Sequence, residues 1–172
     1  DLTLTLGVRA EEVALESLDR LTGVALSKEF SKAVPTLGAV YALDDAHQVW
    51  LQYAEGFLTP DLDELFVDRN ANPDLLPEEA ANLEAGLRGA LGMLRYEASL
   101  YFTDITNYIV TEEIVDNAGR ESLSFTNAGR VTVRGLETVL EYQASDRVSL
   151  GLSYTYARNV FERFFERGID LS

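Results

Sequence analysis

The residue types that carry most enzyme chemistry are thinly supplied in this chain of 172 residues. It holds one histidine, His47, and no cysteine. A lone imidazole in a predicted turn builds neither a two-histidine metal site nor a Ser-His-Asp triad, so His47 reads as a solvated turn residue. Without cysteine there is no disulfide scaffold and no thiolate site for zinc or iron-sulfur clusters. No phosphate-cradling G-x-x-x-x-G-K-S/T or G-x-G-x-x-G run occurs. Acids are plentiful, 29 Asp and Glu against 14 Lys and Arg, which makes any glycosidase-like carboxylate pair uninformative. Asp61, Asp63, Glu64 and Asp68 offer the hard oxygen ligands that calcium takes, but lack the Gly and terminal Glu of an EF-hand; a solvated loop is the reading. The formal net charge of -15 excludes nucleic acid as a partner, because phosphate backbones are held by an excess of Lys and Arg. The expectation is a protein that is not an enzyme and uses no cofactor.

What remains is a set of charges placed at every second residue, and these point to the elements that carry them. Val148, Leu150, Leu152, Tyr154 and Tyr156 alternate with Ser149, Gly151, Ser153, Thr155 and Ala157. Strand side chains switch faces at each residue, so one face is apolar and ends in tyrosines while the other is small and polar. The same alternation recurs in Leu2–Val8, Thr36–Leu43, Val49–Tyr53, Leu83–Leu87, Leu94–Phe102 and Val131–Tyr142. Strands of about ten residues suit a tilted crossing of a bilayer. No run of about eighteen apolar residues exists for a membrane helix, and barrel strands need none.

On the polar face fall Arg9, Glu84, Arg88, Arg95, Glu97, Glu137, Glu141 and Arg147. A charge on the lipid face would cost about 2–4 kcal/mol near the midplane, and the middles of the apolar faces have none. The bland reading of these charges is cross-strand pairing on a polar wall. Tyr41, Tyr53, Tyr96, Tyr142, Tyr154 and Tyr156 fall on the apolar face, several near strand ends, as an aromatic girdle would.

Connections alternate in length. Asp44–His47, Gly89–Gly92 and Ala144–Asp146 read as tight turns, whereas Glu11–Lys32, Leu58–Ala81 and Asp104–Thr126 read as long excursions and Phe161–Ser172 as a terminal loop. Short turns on one side and large loops on the other are the asymmetry of outer-membrane barrels. The fold class expected is therefore all-β: part of an antiparallel up-and-down transmembrane β-barrel, about seven strands with short periplasmic turns and long extracellular loops. A soluble antiparallel sandwich also alternates. A helical reading of Glu11–Lys32 and of Pro77–Leu94 has support from their Ala, Leu and Glu content, although Gly86, Gly89 and Gly92 make the second costly.

Four stretches resemble the signature blocks of TonB-dependent outer-membrane receptors. Tyr53 to Phe66, Y-A-E-G-F-L-T-P-D-L-D-E-L-F, resembles Y-x-E-G-F-x-x-P-x-x-x-E-L-Y/F. Asn72 to Glu78 resembles N-P-x-L-x-P-E, and Asn82 to Gly89 resembles N-x-E-x-G-x-R/K-G. Asn127 to Glu137 is similar to N-x-G-x-x-x-x-x-G-V/L-E. The blocks stand in the family's order. The closing Gly168 to Ser172 resembles the stretch before a G-N-x-x-P-G-x-P segment of ferric-chelate receptors.

The resemblance implies a barrel of about twenty-two strands closed by a plug. Residues 1–172 would then be an internal part of the barrel domain, without plug, TonB box or C-terminal strands. It implies a Gram-negative outer-membrane location and TonB-energised uptake of a ferric siderophore or similar iron chelate, with iron arriving as part of the substrate. The partners implied are outer-membrane lipid, the iron-chelate ligand, and the TonB complex acting through the plug. Phe57, Arg69 and Tyr108 are the candidate ligand residues on loops; Arg88, Arg95, Glu97, Glu137 and Glu141 are the candidates facing plug and lumen. The alternatives are a non-functional truncated remnant and a soluble antiparallel β-sheet binding module.

Overall fold

The computed structural model describes residues 1–18, 20–21, 23–67, 71–115, 119, 121–166 and 169–170. Their strands form one antiparallel sheet in chain order: β1 (Leu2–Leu18), β2 (Ala25–Ala42), β3 (His47–Leu58), β4 (Glu78–Leu91), β5 (Leu94–Val115), β6 (Glu121–Ser145), β7 (Val148–Glu166) and the short β8 (Ile169–Asp170). Seven long strands correspond to the seven expected crossings, each hydrogen-bonded to its sequence neighbours.

The ladder carries the two-faced pattern through the whole sheet. Leu4, Ala39, Leu51, Ala85, Leu100, Leu136 and Tyr156 stand opposite one another from β1 to β7. One step toward the tight turns, the row reads Leu2, Tyr41, Val49, Leu87, Ala98, Thr138 and Tyr154. These rows define an outward face whose side chains lie open: Leu6 is 80% exposed, Leu100 63% and Leu152 62%. An apolar surface this continuous is matched by hydrocarbon and not by water. The inward rows are polar or small, among them Gln52, Glu84, Tyr101, Gly135 and Ala157.

Strands are longer than their hydropathy period. The stretch Glu11–Lys32, expected as a loop, is mostly hairpin: β1 runs to Leu18 and β2 starts at Ala25. Beyond the bilayer the outward side no longer needs to be apolar, so Glu12, Glu16 and Glu29 replace leucines while backbone pairing continues. Asp104–Thr126 is likewise two strand arms, hidden by a register shift near Tyr108, where Asn107 takes a left-handed φ of 56°. At the C-terminal side β7 continues to Glu166 and pairs with β8, where a loop was expected.

Turn positions also shift. The β4–β5 turn is Gly92–Met93, with Gly92 at φ 60° as a two-residue hairpin turn requires, and Gly89 sits inside the ladder between His47 and Tyr96. Arg147 belongs to the Asp146–Arg147 turn instead of the inner wall. Asp44 closes the β2–β3 turn, accepting the Ala46 amide at 2.8 Å and meeting His47 Nδ1 at 2.7 Å. The amide first and the imidazole second hold the Asp44 carboxyl below its ordinary value. His47, expected in solvent, instead opens β3 with its side chain 23% exposed and its ring 6.1 Å from that of Tyr96.

Two inward glycines exist to admit rings. A Cβ on Gly135 would overlap the ring of Tyr101, its direct cross-strand partner, and one on Gly86 would meet the indole of Trp50 at 2.5 Å. Each ring lies flat across the glycine of the next strand.

Among the described residues a compact core occurs only at the loop end. Phe30, Leu65, Leu75 and Phe125 form a buried cluster, with Leu15, Phe57, Phe66 and Ile109 packed around it. Leu65 and Leu75 come from the β3–β4 connection, which begins with the buried Pro60. There Glu64 accepts the Asp61 amide at 2.9 Å and caps a single π-helical turn, Asp63–Val67. The return is pinned by polar side chains. Lys28 Nζ donates to the carbonyls of Pro73 and Leu75, and Asn72 Nδ2 donates to the Phe125 carbonyl at 3.0 Å. Asn127 accepts the Leu76 amide at 2.8 Å and donates to the carbonyls of Leu76 and Asn107. Glu78 accepts the Ile109 amide, beside the register shift, at 2.7 Å.

Two outcomes follow. Gly135→Ala will destabilise the folded barrel by roughly 1–3 kcal/mol, the usual cost of overpacking, and Tyr101→Ala in the same chain will recover part of it; the temperature at which the barrel loses its compact gel mobility measures both. Asn127→Ala removes both bonds to Leu76 and will cost roughly 1–3 kcal/mol, visible as faster protease cleavage within residues 59–77.

Candidate functional site

Inward-facing charges collect near the tight turns of β4, β5 and β6. In one inward row Gln48, Arg88, Glu97 and Val139 follow one another; in the next, Ala90, Arg95, Glu141 and Gly151. Arg88 thus stands directly opposite Glu97, and Arg95 opposite Glu141. Glu137 faces Ser99 one row further toward the loops. All five charged side chains are exposed.

Opposed register is not contact here. Among the described residues the ion pairs are Arg9–Glu11, Lys32–Glu79, His47–Asp44, and Arg130 with Asp104 and Glu162. None closes an Arg88–Glu97 or Arg95–Glu141 bridge. The charges border open hollows instead. One, of about 360 Å³, is lined by Gln48, Arg88, Arg95, Glu97 and Glu141 among others. Another, of about 430 Å³, shares Arg88 and Glu97 and adds Thr5, Thr36, Gly38 and Trp50. Long side chains with unspent donors and acceptors, on a rigid wall, can grip a polar partner at the cost of little rearrangement.

The candidate ligand residues are dispersed at the loop end. Tyr108 lies at the register shift of β5, its ring 5.8 Å from Phe161 in an edge-to-face arrangement, and Phe161 is 49% exposed. Phe57 is partly buried against the Phe30–Leu65–Leu75–Phe125 cluster. Arg69 and Asp68 lie outside the described residues. The wall residues and the loop residues are therefore two separate groups at opposite ends of the strands. Sequence reading missed the residues that fasten the roof, namely Lys28, Asn72, Glu78 and Asn127. Three of them stand in the motif blocks, so their type and place were visible, but the wall and loop partners they pin lie 20 to 53 residues away in the chain.

The chain is matched over residues 1–170 by the family described as TonB dependent receptor-like, beta-barrel. The vitamin B12 transporter BtuB of Vibrio vulnificus is 31% identical over 78 residues, 45% of this chain and 12% of that protein. The ferripyoverdine receptor of Pseudomonas aeruginosa is 31% identical over 106 residues, 61% of this chain and 12% of that protein. The chain thus spans about an eighth of these relatives. Among solved structures, the copper transporter OprC superposes with a TM-score of 0.74 at 19% identity, covering 95% of this chain and 28% of that one. The ferric citrate transporter FecA in its unliganded form gives 0.72 at 23% identity, covering 93% and 24%. These superpositions show the fold: a wall of antiparallel strands like part of these transporters' barrels. The chain belongs to the TonB-dependent receptor-like β-barrel family, whose members are receptors and transporters of the Gram-negative outer membrane.

Proposed function

We propose that this chain is part of the barrel domain of a receptor that takes up a ferric siderophore or similar iron chelate, energised by TonB acting through a plug. The observation that carries the reading is the inner wall. A barrel strand that only anchored a protein in lipid would have no use for opposed, unbridged Arg88–Glu97 and Arg95–Glu141 positions around open hollows. A plug that must hold and later move needs polar contacts of this kind, strong enough to seat it and weak enough to release. Glu137 extends the same wall. The iron-chelate class draws support from the ferripyoverdine receptor among the relatives and from the ferric-chelate character of the closing residues. Tyr108 beside the exposed Phe161 supplies aromatic surface at the extracellular rim, Phe57 holds the adjoining loop through its packing, and Arg69 adds a cation for an anionic chelate.

Growth of a strain carrying the whole receptor as its only route for iron, on single ferric chelates, tests the function. We expect growth on at least one ferric siderophore and none when TonB is deleted. Growth restored by cobalamin or copper transport but by no iron chelate overturns the ligand class; uptake unaffected by TonB loss overturns the energising step. Reversing two wall charges together, Arg88→Glu with Arg95→Glu, should lower the initial uptake rate roughly tenfold, equivalent to about 1.4 kcal/mol, while the barrel keeps its compact gel mobility.

A further inference from the structure

Three of the cations on the described strands share one small patch of the outward face. Outward positions of β1 to β5 within the register are mostly apolar across the bilayer and turn acidic beyond it, with Glu12, Glu16, Glu29, Glu55, Glu79 and Asp104, but include no Lys or Arg. From β5 to β7 the row Phe102, Arg134 and Arg158 crosses the sheet, so two arginines stand directly opposite each other on β6 and β7. Like charges in that relation destabilise a sheet. The neighbouring Arg130 is neutralised, its Nε and Nη2 each 2.6 Å from an Asp104 oxygen. Arg134 and Arg158 enter no ion pair among the described residues, and both are exposed. The Arg134 guanidinium rests 5.3 Å from the centroid of the Phe102 ring, which fixes its height on the wall.

That height is informative. Immediately on the periplasmic side runs the apolar row Leu100, Leu136 and Tyr156, and immediately on the extracellular side the row Asp104, Thr132 and Val160. The arginine pair therefore sits where hydrocarbon gives way to headgroups in the outer leaflet. Two guanidinium forks side by side match the oxygens of a phosphate, and the leucines below match an acyl chain. We propose that Arg134 and Arg158 form a docking site for a phosphate group of lipid A, the membrane-embedded part of lipopolysaccharide, with its acyl chains lying on Leu100, Leu136 and Tyr156. The chemistry is a single amphiphile read at two points: a dianionic head neutralising an otherwise repulsive pair, and a tail continuing the lipid contact the barrel already makes. The proposal rests on the outer-membrane location and is independent of which chelate the receptor carries.

The test uses the full-length receptor in detergent, titrated with phosphorylated lipid A and with enzymatically dephosphorylated lipid A, bound lipid being read by native mass spectrometry. Wild-type receptor should prefer the phosphorylated form, and Arg134→Gln with Arg158→Gln should lose about tenfold in affinity for it, erasing the preference. Arg147→Gln, a charge removed at the periplasmic turn, should behave as wild type. A wild-type receptor without the preference, a double variant that keeps it, or equal retention of phosphatidylglycerol would each overturn the proposal. Should the double variant fail to reach compact gel mobility, the wild-type comparison of the two lipids decides alone.

Discussion

Every feature of this wall depends on the ladder of backbone hydrogen bonds that joins β1 to β7 in chain order. Hydrocarbon offers no substitute partner for an amide or carbonyl, so a chain that enters a bilayer as strands must satisfy each group from its neighbours. The ladder does this, and in doing so it fixes register. Because side chains alternate with a period of two, fixing one pair fixes the face of every residue on both strands as far as the next register shift. The outward leucines, the inward charges and the position of each ring follow from that single constraint.

Face assignment was the part of the fold most legible in the sequence, and the reason is energetic. Between Leu2 and Val8 or between Leu94 and Phe102, lipid on one side and polar lumen on the other force opposite residue types at successive positions. Above the bilayer the force disappears. Val13 still pairs with Phe30 and Glu12 with Ser31, but water accepts glutamate and valine alike on an arm that pairs with itself, so no periodic trace marks the strand. The shift near Tyr108 obscures the pattern a second way, because an irregular register exchanges faces within an otherwise regular run. The inner charges were likewise legible as residues of one face; their lack of closed bridges was not, since that depends on side-chain reach and not on register.

The two ends of the strands solve different mechanical problems. At the loop end a small apolar core, three polar pins from motif residues and the Lys28 ammonium make the β3–β4 connection part of the scaffold. The backbone groups of Pro73, Leu75 and Leu76 find side-chain partners in the wall, which fastens the return. At the turn end the hairpins are tight and the inward side chains are long, charged and unengaged. Stability is thus concentrated where the chain leaves the membrane, and adaptability where a partner inside the barrel would rest. Motif blocks that read as punctuation in the sequence, with their prolines and asparagines, turn out to be fasteners.

The flat rings over Gly86 and Gly135 have a consequence for the space the wall encloses. An indole or phenol on an ordinary inward position projects toward the axis and narrows the bore. Trp50 and Tyr101 lie along the surface, each filling the notch left by a missing side chain next door. Aromatic mass is thereby stored in the plane of the wall, which stiffens adjacent strands against sliding yet leaves the bore's cross-section almost as wide as glycine and serine alone would. A conduit built this way can be rigid in its shell and still unobstructed.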